Sequence, residues 1–221
     1  MKDPYLYDDC QVLRNTLGIK DADLLDKAEV DLSCNAINDL LTSSIQGDYD
    51  FDHLCGFHKR IFIDVYDWAG KPRTVPMEKQ EAVLGYMSIK YAHPKDILSE
   101  STAILNRLRG VEWGSLSLDN QAVILSDNMA QLWKVHPYRE GNTRTIVTFF
   151  CHFAWNRGIP LDSELFEKNA AYLRSALVAA TAVFPDGDFR KPDYLRGIVK
   201  DSLIRGKESN DRMEPAFAID N

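Results

Sequence analysis

His136-Pro137-Tyr138-Arg139-Glu140-Gly141-Asn142-Thr143-Arg144 stands between two stretches of helical periodicity, and its reading sets how the rest of the chain is understood. Upstream, 118–135 carries Val123, Ile124, Met129, Leu132 and Trp133 as one apolar face, the spacing of an amphipathic helix. Pro137 stops that helix, because a residue before proline is pushed out of the α region. Downstream, 142–156 carries Ile146, Phe149, Phe150, Phe153 and Ala154 and closes at Gly158, ahead of Pro160. This second helix is apolar on more than one face, so it is expected at the centre of the fold.

Outward from there, helical patterns recur. Leu24, Leu25, Ala28, Leu32, Ala36, Leu40 and Leu41 mark a helix over 22–41. After a break at Gly47-Asp48, Asp50 is expected to cap a second helix with Leu54, Phe57, Ile61, Phe62 and Val65, ending at Ala69-Gly70. Over 71–77, Pro72 and Pro76 flank the β-compatible Arg73-Thr74-Val75, which predicts a short hairpin or flap. Further helices are expected at 94–108, 163–183 and 193–204, with a polar, frayed tail from 206 to 221. The fold class is therefore all-α, some eight helices around the buried 142–156 helix with at most one small hairpin. No repeat or linker divides the chain, so one domain is expected over 1–221. Its parts are an N-terminal helical part at 1–48, a core at 49–185, a C-terminal helix at 186–205 and the tail.

Composition narrows the function. The 221 residues are 45% hydrophobic, with 33 acidic against 26 basic side chains and a net charge of −7. Such a chain offers no concentrated basic face for nucleic acid or an anionic membrane surface. Nothing approaches the run of about 20 apolar residues that a membrane span needs, nor an apolar signal segment, so a cytoplasmic protein is expected; a specialised secretion tag would not show in composition. Cys10, Cys34, Cys55 and Cys151 are widely spaced, with no CxxC pairing, which points to free thiols in a reducing compartment.

The loop itself packs an imidazole, a carboxylate, a glycine, an asparagine and two arginines into nine positions. Four unpaired N–H groups and the positive end of the helix dipole lie at the start of the second helix, a ready anion site into which a phosphate chain fits. Gly141 allows positive φ or close approach of a ligand, and Asn142 is placed to cap the helix while bonding the loop. Arg144 in the first turn suggests a phosphate partner. Glu140 has no companion carboxylate, the arrangement by which Mg²⁺ is held beside nucleotides. His136 has the ordinary pKa of a general base at neutral pH. His53, His58 and His152 lie among apolar neighbours and are expected to be structural, whereas Lys71, Arg73 and Lys79 could attract an acidic target or a triphosphate.

HPYREGNTR resembles the signature of the Fic family, HPFx(D/E)GNGRxxR, and 49–73, with Asp50, His53, His58 and Trp68-Ala69-Gly70, is similar to the helix and flap preceding the active loop there. The resemblance extends over about 5–200. It implies an all-α Fic fold and transfer of AMP from Mg-ATP to a Tyr, Thr or Ser hydroxyl of a target protein or of the chain itself, with release of pyrophosphate. On that resemblance His136 is the base and Glu140 holds Mg²⁺. The N–H groups of Gly141, Asn142 and Thr143 form the anion hole, and Arg144 neutralises phosphate. Arg73, Thr74, Val75, Pro76 and Met77 form the flap that pairs with the target.

Three positions depart from the signature. Tyr138 replaces Phe, Thr143 replaces the second Gly, and Val147 stands where the final Arg would be. Losing that Arg removes a charge-assisted contact worth roughly 1.5–3 kcal/mol, for which Lys134 or Arg139 are substitutes to be considered. The alternatives it opens are another donor or group, UMP or phosphate, or a nucleotide-binding regulatory domain with little turnover. The family's inhibitory pattern (S/T)xxxE(G/N) has no clean copy. Thr42 to Gly47 has Gln46 in place of Glu. The chain is thus expected to escape the usual intramolecular inhibitory salt bridge, a separate antitoxin-like partner being the alternative.

Overall fold

The computed structural model describes residues 3–43 and 45–213. Helix α1 spans Ala22–Thr42 and starts where the Asp21 carboxylate accepts the Leu24 N–H. Asp50 does the same for His53 at the start of α2, Phe51–Phe62. Ser117 caps α4, Leu118–Val135, whose bounds are those of the apolar pattern. Next comes α5, Asn142–Asn156, carrying Ile146, Phe149, Phe150, Phe153 and Ala154, all fully buried. It packs between α2 and α4, and α4 is backed in turn by α3, Ile97–Arg109, and by α8, Asp193–Met213. An all-round apolar helix thus takes the centre, as its composition requires.

Four expectations need correction. Helix α2 ends at Phe62, not near Gly70, because the Val65 and Tyr66 N–H groups both turn back onto the Phe62 carbonyl. The expected 163–183 helix is broken into α6, Ser163–Lys168, and α7, Ala170–Ala180; at the break the Asn169 amide bonds the Leu165 carbonyl, a side-chain competitor of helix continuation. Helix α8 continues through Gly206, where a Cβ would lie 2.2 Å from the Pro160 carbonyl oxygen, so glycine is there for close packing rather than to end a helix. The remainder of the expected frayed tail, 214–221, lies outside the described residues. A second, very short pairing, β3 (Val183–Phe184) with β4 (Gly187–Asp188), joins the one hairpin expected.

The flap hairpin also lies further along than expected. It is β1, Glu78–Glu81, antiparallel to β2, Met87–Lys90, with Glu78 opposite Lys90 and Glu81 opposite Met87. Residues 73–77 are instead its stalk. Arg73 is 2% exposed and faces inward.

Candidate functional site

The loop between α4 and α5 is held from within. His136 ends α4 in the left-handed region, φ 54°, and Gly141 enters α5 at φ 78°. Asn142 is the first helical residue rather than the cap. Its Oδ1 accepts the Tyr138 N–H at 2.9 Å and its Nδ2 donates to the Tyr138 carbonyl at 2.7 Å, closing the loop on itself. A Cβ on Gly141 would lie 2.3 Å from the Phe62 ring, so the close approach anticipated for a ligand is made by the protein's own core. Below the loop, His58 accepts the Gly70 N–H at Nδ1 and must therefore donate from Nε2 to the Glu140 carbonyl, 3.1 Å away. Its ring stacks on Tyr138 at 3.8 Å. Arg73 Nε donates to the His136 carbonyl at 2.8 Å, its NH2 donates to the Val135 and Ala92 carbonyls, and its backbone N–H bonds the Pro137 carbonyl. The residue expected to meet a target is a strut beneath the loop.

His136 is 4% exposed, and its imidazole lies flat on Tyr91 at 3.7 Å. Nδ1 sits 3.3 Å from the Trp133 carbonyl, which can only accept, so the proton resides there. Nε2 is left buried with its lone pair unpartnered. Burial, then the positive charges of Lys79, Arg73 and Arg174, hold the imidazole well below its ordinary pKa despite the Trp133 bond. The ring is uncharged at neutral pH.

Glu140 accepts the Gly141 N–H at 3.0 Å on one oxygen and faces Lys79 Nζ at 3.5 Å on the other. Burial alone would raise its pKa; Lys79, the Gly141 N–H and Arg144 together outweigh it and keep the carboxylate charged. Arg144 does not stand free for a phosphate. It is paired with the buried Glu29 of α1, donates to Ser33 Oγ at 2.6 Å, and lies over the Phe62 ring. The Thr143 hydroxyl accepts the Trp133 indole N–H at 2.9 Å, tying α5 to α4.

These groups line one cavity of about 330 Å³, walled by the loop from Glu140 to Arg144, by Trp133 and His136, by Lys79 of β1, and by Ala170, Ala171 and Arg174 of α7. That volume suits a small ligand. Of the three N–H groups expected to form the anion hole, that of Gly141 is instead taken by Glu140; by helical geometry those of Asn142 and Thr143, with that of Arg144, have no partner within α5, whose first backbone bond runs from Thr145 N to Gly141 O. Val147 is not on this wall and packs against the core. Neither proposed substitute for the missing Arg reaches the cavity. Arg139 is bound to Asp3 at 2.9 and 3.1 Å. Lys134 lines a separate groove of about 860 Å³ among α3, α4, α7 and α8, which is larger but carries no imidazole. Tyr91 and Arg174 were not signalled by any local pattern. Gln46 is exposed in a loop beyond α1.

No group of three metal-binding side chains occurs among the described residues. Glu140 as sole carboxylate fits an ion completed by phosphate oxygens and water, and does not fit an all-protein cage.

The Fic/DOC family model matches residues 48–154, which include α2, the hairpin, α4, the loop and most of α5. This segment is a Fic/DOC domain. The Fic domain and its flanks are 34% identical over 167 residues to the protein adenylyltransferase VbhT of Bartonella schoenbuchensis, covering 75% of this chain and 34% of that protein. They are 28% identical over 169 residues to the probable protein adenylyltransferase y4lH of Sinorhizobium fredii, covering 76% and 83%. The chain thus spans about a third of VbhT and most of y4lH. Among solved structures, the Fic domain of Bep8 from a Bartonella species superposes with a TM-score of 0.75 at 20% identity, covering 90% of this chain and 94% of that one. BepC of Bartonella tribocorum, with bound AMPPNP, gives 0.73 at 19% identity, covering 90% and 95%. The all-α Fic fold is therefore the observed fold. No helix among the described residues is long and apolar enough to cross a membrane.

Proposed function

We propose that this chain is a protein adenylyltransferase, moving AMP from ATP to a hydroxyl of a protein target. The observation that carries this reading is His136 Nε2, a buried, neutral nitrogen with no partner, in one cavity with Glu140 and the N-terminus of α5. The relatives named as adenylyltransferases support it. The imidazole removes the proton from a Tyr, Thr or Ser side chain. That oxygen attacks the α-phosphorus, the bond to the β-phosphate oxygen breaks, and pyrophosphate leaves. The free N–H groups of α5 stabilise charge on the α-phosphoryl oxygens. Glu140 is the residue to hold Mg²⁺, which when bound neutralises phosphate charge. Among the described residues the hairpin from Glu78 to Lys90 has only two strands, and an extended target segment can add to its edge as a strand.

One observation favours a second reading. Val147, packed partly buried against the core, leaves α5 without the second guanidinium of the signature, so another donor or group, UMP or phosphate, or nucleotide binding with little turnover, is the competitor. The same absence favours control by a separate antitoxin-like protein. Intact-mass measurement after incubation with ATP and Mg²⁺ separates these readings. A gain of one adenylyl group that vanishes in His136→Ala is expected; a phosphoryl gain, or no gain with saturable binding, overturns the proposal.

A further inference from the structure

Among the described residues three cations line the cavity, and each already holds a glutamate. Arg144 is paired with Glu29, Arg174 chelates Glu81 at 2.9 and 3.1 Å, and Lys79 lies 3.5 Å from Glu140. Arg73, behind the loop, carries its charge on backbone carbonyls and does not line the cavity. The wall is therefore electrically balanced, although its shape and N–H groups suit a polyanion. The three pairs are not equally ready to open. Glu29 and Glu81 are buried, with side chains 8% and 4% exposed, and stripping a partner from a buried carboxylate is costly. Lys79 and Glu140 are each 32% exposed and joined by the longest contact of the three, the kind of pair that contributes little by itself.

Resting on the nucleotide-binding reading above, we infer that Lys79 is a placeholder for the divalent cation, and that Glu140 exchanges one for the other when nucleotide enters. A nucleotide arriving without metal either meets a lysine occupied by Glu140 or pulls it away and exposes a bare carboxylate to its own phosphates. When the metal takes Glu140, the ammonium is released to the phosphates, and the strand that carries it is drawn onto the nucleotide. Metal and nucleotide thus bind as coupled ligands, with Lys79 as the switch between them.

Isothermal titration with the α,β-methylene analogue of ATP, which resists transfer, in Mg²⁺ and in EDTA, tests this without reference to turnover. The wild-type chain is expected to bind about 5- to 150-fold more tightly with Mg²⁺, the range of a site-to-site coupling. Because Mg²⁺ also changes the charge of the nucleotide, the two variants decide. Glu140→Gln frees Lys79 and should tighten metal-free binding about two- to fivefold while reducing the effect of Mg²⁺. Lys79→Met should weaken binding in both buffers. A purely structural pair would move both variants in the same direction. Metal-free binding that is unchanged or weaker in Glu140→Gln overturns the inference and leaves the adenylyltransferase reading standing. Absence of binding by the wild-type chain in both buffers overturns that reading itself.

Discussion

At the scale of the residue, Gly141 is the position with least freedom. It combines φ 78° with a ring carbon of Phe62 where a Cβ would be. Gly141→Ala must accept left-handed strain of about 1–2 kcal/mol and also shift the ring or the loop, a packing change of about 1–3 kcal/mol. The expected outcome is a loss of at least about 2 kcal/mol, read as a lower urea midpoint at unchanged slope; an unchanged midpoint would show that the loop is not seated on Phe62. His136 shows how environment remakes a side chain. The sequence supplies a group that titrates near neutrality, but burial and three nearby cations hold it uncharged. The rate of the proposed transfer should therefore keep its plateau below pH 6.5, and a profile that falls with an apparent pKa near 6.5 would contradict a buried, uncharged His136 as the base.

At the scale of the element, the hairpin is anchored at the end of β1 by a buried long-range pair. Glu81 ends β1 and is 3% exposed, and Arg174 on α7 is its partner. Arg174→Ala leaves a buried carboxylate unpaired, at about 1–3 kcal/mol, with the cost localised in the strands. Hydrogen exchange of the Glu78–Lys90 amides should speed up while the amides of α5 keep their protection; uniform protection in the variant would refute this anchoring. The same pair explains what the sequence could and could not disclose. Helices α4 and α5 were legible to their end residues because Pro137 and Gly158 punctuate strong apolar periodicity. The hairpin was misplaced because Glu78-Lys79-Gln80-Glu81 has no apolar alternation, whereas the preceding Arg73-Thr74-Val75 has β-forming side chains but is spent on bonds beneath the loop. Within the site, the motif residues were legible as a set. Their occupancy was not: Glu29 meets Arg144 across 115 positions and Glu81 meets Arg174 across 93, and no local pattern encodes such a meeting.

At the scale of the whole molecule, the loop and core are tied together by buried imidazoles. Burial lowers His58 to about 4, despite its bond to the Glu140 carbonyl, holds His136 well below its ordinary value and also lowers His152. Unfolded, each takes a proton near pH 6.5. Between that pH and the folded values the unfolded chain binds protons that the folded chain refuses, so acid favours unfolding. Stability is full above about pH 6.5 and declines towards pH 4, His58 alone contributing about 3 kcal/mol across the window. Urea midpoints measured from pH 7.5 to 4.5 should hold to about pH 6.5 and fall below it; a flat profile would mean that these rings are hydrated in the folded state.

The bond from the Trp133 indole to the Thr143 hydroxyl gives the cavity an optical handle. Of the four tryptophans in the chain, Trp133 alone lines that cavity, and its chromophore is fixed to the helix start where phosphate is expected to settle. Emission from this ring will register an arriving ligand without any label, and replacing Trp68, Trp113 and Trp155 with phenylalanine would leave a protein whose fluorescence reports on one place.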